Sequence, residues 1–145
     1  MATHTLFEKL LQSSFEVNEV RFITPRKAYP LLMEDALLID LRPLSESTFK
    51  QAKVLRMMLL PYTEFEDHKA TIPQDRPVVF IDATGIQVKK FCPQLSAEGY
   101  KQLFAIAGGI VEWERDGMPM EEDVSQRLTG ACVCQLKPRE HYYLR

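Results

Sequence analysis

The sequence predicts an α/β domain: a mainly parallel sheet with helices packed against it. Three observations predict it. Continuous apolar runs recur along the chain, at Ala36-Leu37-Leu38-Ile39, Val78-Val79-Phe80-Ile81 and Leu103-Phe104-Ala105-Ile106, as strands buried on both faces require. Segments with apolar residues at helical spacing separate them, which is the order of β-α-β crossovers. The 145 residues suit one domain, which can bury roughly 70% of its unfolded surface without covalent staples.

The elements follow in order. Thr5-Leu6-Phe7-Glu8 has the form of a capping box, and the stripe Leu6, Phe7, Leu10, Leu11 predicts a helix ending near Gln12. Val20 to Ile23 reads as a brief strand. Thr24-Pro25 supplies an N-cap and a proline at the first helical position, predicting a helix toward Met33 that Pro30 is expected to shorten. Ala36 to Asp40 is the first buried strand. Ser45 to Ala52 reads as a short helix, Arg56 to Leu60 as a second buried strand and Tyr62 to Lys69 as another short helix.

Val78 to Ile81 is the third buried strand. The helix after it carries Val88, Phe91 and Leu95 on its inner face, with a kink or late start expected from Pro93 and an end at Gly99. Leu103 to Ile106 is a fourth strand, Gly108-Gly109 a tight turn and Ile110 to Arg115 the last helix. Met120 to Ser125 is acidic and reads as a surface linker, and Ala131 to Leu136 as a strand. The organisation is therefore an N-terminal helical extension over 1–20, the α/β domain over 21–119 and a tail over 120–145.

Composition excludes several function classes. A net charge of -2 and a pI near 5.9 give no field that would draw nucleic acid or anionic membrane. No apolar run reaches the ~20 residues of a membrane helix. The start Met1-Ala2-Thr3-His4-Thr5 has neither the basic residues nor the apolar stretch of a secretory signal. Three cysteines do not suggest a disulfide framework, so the reducing cytoplasm is the expected location. Lys137, Arg139 and Arg145 with Tyr142 and Tyr143 make the end basic and aromatic, and in an acidic chain this reads as a solvated or docking segment.

Ligands of such sheets gather at the carboxyl ends of the strands, where Asp40, Asp82 and Ala107-Gly108 lie. Asp82-Ala83-Thr84-Gly85-Ile86-Gln87 forms the loop that opens the next helix. Amides at a helix N-terminus favour negative charge, so Asp82 is expected to accept hydrogen bonds from this loop.

Several segments in the right order resemble one family, the rhodanese-like domains. Ile23-Thr24-Pro25 with its helix, then Leu38-Ile39-Asp40-Leu41-Arg42 with Glu46, is similar to the family's opening strand and its Asp-x-Arg turn. Leu60-Pro61 before Glu64-Phe65 resembles its next strand end. Gly108-Gly109-Ile110-Val111-Glu112-Trp113, then Gly117-Met118-Pro119, resembles its closing Gly-Gly-x-x-x-Trp-x-x-x-Gly-x-Pro signature. The resemblance spans Phe22 to Pro119 and implies a three-layer fold and descent from sulfurtransferases.

The departures concentrate at the chemistry. Against the family's Cys-x-x-Gly-x-Arg-Ser loop, Asp82 stands for the cysteine, Gln87 for the arginine and Val88 for the serine, while Gly85 remains. Lys53-Val54-Leu55-Arg56-Met57 lacks the histidine and glycine of the family's His-Ile-Pro-Gly-Ala stretch. Sulfur transfer needs a polarisable thiolate that can carry a persulfide, and a carboxylate oxygen does not replace it.

The resemblance thus implies a catalytically inactive rhodanese-like domain, a binding or regulatory module with no catalytic residue and no cofactor. Its binding residues would be Asp82, Gly85, Gln87 and Arg42, and its ligand a protein partner or a small anion, with a homodimer left open. A plain capping role for Asp82 is the competing structural reading. An aspartyl nucleophile for phosphoryl transfer would need a metal or a basic clamp that this loop lacks.

The alternative function is a thiol-based redox, sulfur-relay or metal protein. On a strand, Cys132 and Cys134 share one face, and His141 is the nearby third metal ligand, one short of the usual four for zinc. The plainer reading makes them small buried side chains fastening the tail. Cys92 reads as a buried small hydrophobe and is out of register with the family's nucleophile.

Overall fold

The computed structural model describes residues 5–122. Helix α1 (Leu6–Ser13) leads into a hairpin of β1 (Phe15–Val17) and β2 (Val20–Ile23), then α2 (Pro25–Leu32), β3 (Leu37–Asp40), α3 (Leu44–Ser47), β4 (Lys50–Ala52) and β5 (Met57–Leu59). Helix α4 (Phe65–His68), flanked by 3-10 turns, precedes β6 (Val78–Ile81), α5 (Val88–Ala97), β7 (Leu103–Ile106), α6 (Gly109–Arg115) and β8 (Met120–Glu122). Six strands form one sheet in the order β1-β2-β7-β6-β3-β5, parallel throughout except for the β1–β2 hairpin.

Period-two alternation along the apolar runs explains why this sheet is sandwiched. Leu37, Ile39, Val78 and Phe80 point into one core with Phe65 of α4 and Phe91 and Leu95 of α5. Leu38, Val79, Ile81 and Phe104 point into the other with Leu10 of α1, Ala28 of α2 and Trp113 of α6. The expected three layers are therefore present. From β3 the chain moves first outward to β5 and then to β6 on the opposite side, so the strand order reverses at β3 and β6. A crevice opens beyond the carboxyl ends of strands at such a point.

Local signals held where they were strong. The capping box is formed: Thr5 Oγ1 accepts from the Glu8 N–H at 3.1 Å, and Glu8 Oε1 accepts from the Thr5 N–H at 3.1 Å. Helix α5 closes with two bonds, Gly99 N–H to Ser96 O and Tyr100 N–H to Leu95 O, both 3.1 Å, the pair of a Schellman motif. Trp113 is fully buried, and its Nε1–H donates to Pro119 O at 2.8 Å, which fixes the turn after α6.

Four expectations need correction. Pro30 does not shorten α2, which continues to Leu32; the carbonyl deprived of its donor belongs to Arg26, an exposed residue where water can serve. Of the kink or late start expected from Pro93, the late start is absent: α5 begins at Val88, and the carbonyl that Pro93 deprives of a donor belongs to exposed Lys89. The segment read as a helix over Ser45–Ala52 is helical only to Ser47 and then becomes β4. Its antiparallel partner is β8, pairing Gln51 with Glu121 and Ala52 with Met120, so the acidic stretch after Pro119 begins as a strand and not as a linker.

The Tyr62–Lys69 segment holds one α-helical turn between 3-10 turns. The β1 strand was not foreseen, and Asn18 and Glu19 turn its hairpin with φ of 50° and 69°. Because β1 pairs with β2, the sheet already begins inside the stretch assigned to the N-terminal extension. Cys132, Cys134 and His141 lie outside the described residues. Among the described residues no helix is long and apolar enough to cross a membrane, and no group of three metal-ligating side chains converges.

Candidate functional site

Strand β6 delivers Asp82 to the crevice, and the chain turns at once into the loop that starts α5. Asp82 is 2% exposed, so its side chain depends on the protein for partners. It finds three. The Gly85 N–H donates to Oδ1 at 2.5 Å, and the N–H groups of Gln87 and Val88 donate to Oδ2 at 2.6 and 3.3 Å. Val88 opens α5, so the carboxylate also meets the positive end of a ten-residue helix.

The loop is held from behind by α6. The N–H groups of Ile110 and Val111 donate to the carbonyls of Asp82 and Ala83 at 2.7 and 3.2 Å. With those carbonyls turned toward α6, the loop's later amides are free to face inward. The approach leaves no room for a side chain: a Cβ on Gly109 would stand 2.5 Å from Asp82 O and 2.6 Å from Ala83 C.

The facing wall comes from the end of β3. Asp40 is fully buried and Arg42 nearly so. Arg42 Nε donates to Asp40 Oδ1 at 3.1 Å and Nη2 to Oδ2 at 2.9 Å, a bidentate pair, while the Arg42 N–H also donates to Oδ1 at 3.0 Å. Nη2 further donates to Lys50 O at 2.6 Å. Nε and Nη2 are thus committed to Asp40 and to β4, while Nη1 has no hydrogen-bond partner among the described residues.

Between these walls lies a cavity of about 240 Å³. Arg42, Asp82, Ala83, Thr84, Ile86 and Gln87 line it, so the sequence-nominated residues do converge, whereas Gly85 is buried in the loop and does not line it. Sequence reasoning missed Tyr62 and Glu46 as lining residues. Tyr62 follows the end of β5, so the carboxyl-end rule was the signal that finds it.

Cys92 is the one thiol among the described residues, and it is buried on the inner face of α5. Burial, reinforced by the Asp82 charge, pushes it up from 9.0 to about 12. It is a core side chain and not a nucleophile. Folded protein therefore keeps a proton that the unfolded chain releases near pH 9, and the linked stability is complete below that pH and lost as pH climbs toward about 12. In urea titrations over that alkaline range, Cys92→Ala is expected to show a shallower fall in stability than wild type. Equal slopes would mean that this thiol does not carry the effect.

The family model of the rhodanese-like domain matches residues 24–116. The thiosulfate sulfurtransferase GlpE of Actinobacillus succinogenes is 31% identical over 101 residues, covering 68% of this chain and 88% of the relative. A sulfurtransferase of Allochromatium vinosum is 33% identical over 90 residues, covering 60% of this chain and 79% of the relative. Among solved structures, the polysulfide-sulfur transferase homodimer of Wolinella succinogenes superposes with a TM-score of 0.64 at 22% identity, over 80% of this chain and 86% of that one. At that identity the likeness is one of fold. The chain belongs to the rhodanese-like domain family.

Proposed function

We propose that this domain has exchanged sulfur transfer for binding, with Asp82 standing where sulfurtransferases of the family carry their nucleophilic cysteine. One observation carries the reading: the loop's amides close on the carboxylate of Asp82 itself. In an active loop such donors would stabilise a thiolate and the persulfide it forms. Here they hold a side chain that cannot accept sulfane sulfur. Gln87 adds no fixed positive charge for an anionic donor, and Arg42 is already paired with Asp40. What remains is a shaped recess on a rigid scaffold, suited to recognition by Asp82, Gln87 and Arg42 on the frame that Gly85 permits.

A thiosulfate–cyanide assay of the reduced full chain is expected to give no turnover above the uncatalysed rate. Asp82→Cys alone is expected to regain under ~1% of the activity of the Actinobacillus relative, since losing one group that stabilises transition-state charge costs about 10² to 10³ in rate. Comparable activity in that variant would mean that the site is intact apart from one atom. Turnover by wild type that vanishes on replacing Cys132 and Cys134 with Ser would move the chemistry to the tail and overturn the binding reading.

A further inference from the structure

We infer that the cavity beside the Asp82 loop takes a basic side chain, an arginine or lysine offered by a protein partner, and does not take an anion. The inference rests on the binding reading and narrows it to a ligand class.

Charge is the first argument. Three charged side chains line the cavity: Arg42, Asp82 and Glu46. Asp40 neutralises the charge of Arg42 through the bidentate pair, and Nη2 also serves Lys50 O, which leaves Nη1 as the guanidinium's one unbonded nitrogen but no net positive charge on the pair. Two carboxylates are left. The amides of Gly85, Gln87 and Val88, which would otherwise serve an anion in the cradle, are occupied by Asp82. Glu46 projects from the first turn of α3, exposed, and has no ion pair or side-chain hydrogen bond among the described residues. Lys89 and Lys90 begin α5 but do not line the cavity. An anion entering here would meet like charge on the lining, and a cation would meet its complement.

Shape is the second argument. Leu41, Pro43, Tyr62 and Ile86 supply the rest of the wall. Long basic side chains are amphipathic: the methylene stem packs on apolar surface while the charged head seeks carboxylates, and an aromatic face such as that of Tyr62 adds attraction. About 240 Å³ accommodates a guanidinium with its stem. Ile86 stands at the rim 67% exposed, the most exposed of the large apolar side chains described. A basic side chain offered by a protein carries its backbone across that rim, where Ile86 supplies apolar contact that a free small cation would not use.

The test is an NMR titration of the isotopically labelled full chain at constant ionic strength. The probes are acetyl-Gly-Leu-Arg-Gly-amide, the same peptide with neutral citrulline for arginine, and sodium thiosulfate. The arginine peptide is expected to shift the amide signals of Ala83 to Gln87 saturably, the citrulline peptide and thiosulfate to leave them in place. Glu46→Gln, an exposed and structurally mild change, is expected to weaken the arginine peptide about fivefold, as loss of one partly exposed ion pair does. Saturable shifts with thiosulfate, equal shifts with citrulline, no shifts with any probe, or an unchanged affinity in Glu46→Gln would each overturn the inference. The sulfurtransferase assay on the same sample separates the two levels: an inactive protein that ignores arginine sinks only the ligand class, while an active one sinks the binding reading beneath it.

Discussion

Asp40→Ala is expected to cost about 4 kcal/mol of folding stability, the loss that follows when one partner of a buried ion pair is removed. Asp40 holds the buried Arg42 with two side-chain bonds and takes a third from the Arg42 main chain. Without it the guanidinium keeps only Lys50 O inside the protein. Urea unfolding of the single variant, of Arg42→Ala and of the double variant would measure this. The double variant is expected to be less destabilised than Asp40→Ala alone, because removing both charges leaves none stranded. A loss below ~1 kcal/mol in Asp40→Ala would show that water reaches the guanidinium through the cavity, and that the pair is not a structural tie between β3 and β4.

Gly109→Ala is expected to cost about 3 kcal/mol, combining left-handed backbone strain with a collision against main chain that cannot swing aside. Its φ is +64°, and the added Cβ would meet Asp82 O at 2.5 Å and Ala83 O at 2.6 Å. Gly117 is the natural control: its φ is +74°, yet nothing lies within 4 Å of a Cβ there. Gly117→Ala should therefore show strain alone, about 1 kcal/mol. The difference between the two measures how tightly α6 abuts the loop. Equal losses would mean that the loop yields, and the Asp82 amide signals would then shift in the Gly109 variant.

The sequence carried the fold where its signals were local or strongly periodic. The apolar runs at Val78–Ile81 and Leu103–Ile106 became β6 and β7 with the same bounds, and Thr5 and Gly99 marked real helix ends. It failed where structure is decided at long range. Nothing around Lys50 announces β4, because its partner β8 lies about seventy residues on and supplies the ladder. At the site, the carboxyl-end rule and the helix N-terminus foretold that Asp82 would be gripped by amides. The neutralisation of Arg42 was not legible, since its partner's geometry depends on both side chains being buried together. Nor was the place of Glu46 in the wall, which only the assembled crevice defines.

The bonds from Ile110 and Val111 to the carbonyls of Asp82 and Ala83 have a consequence for how such a site can change over time. They grip only main chain, so the outline of the recess is dictated by a helix whose own residues do not line it. Contour and content are then inherited separately. Position 82 decides what sits at the centre, while Gly109, Ile110 and Val111 keep the surrounding mould whichever side chain stands there.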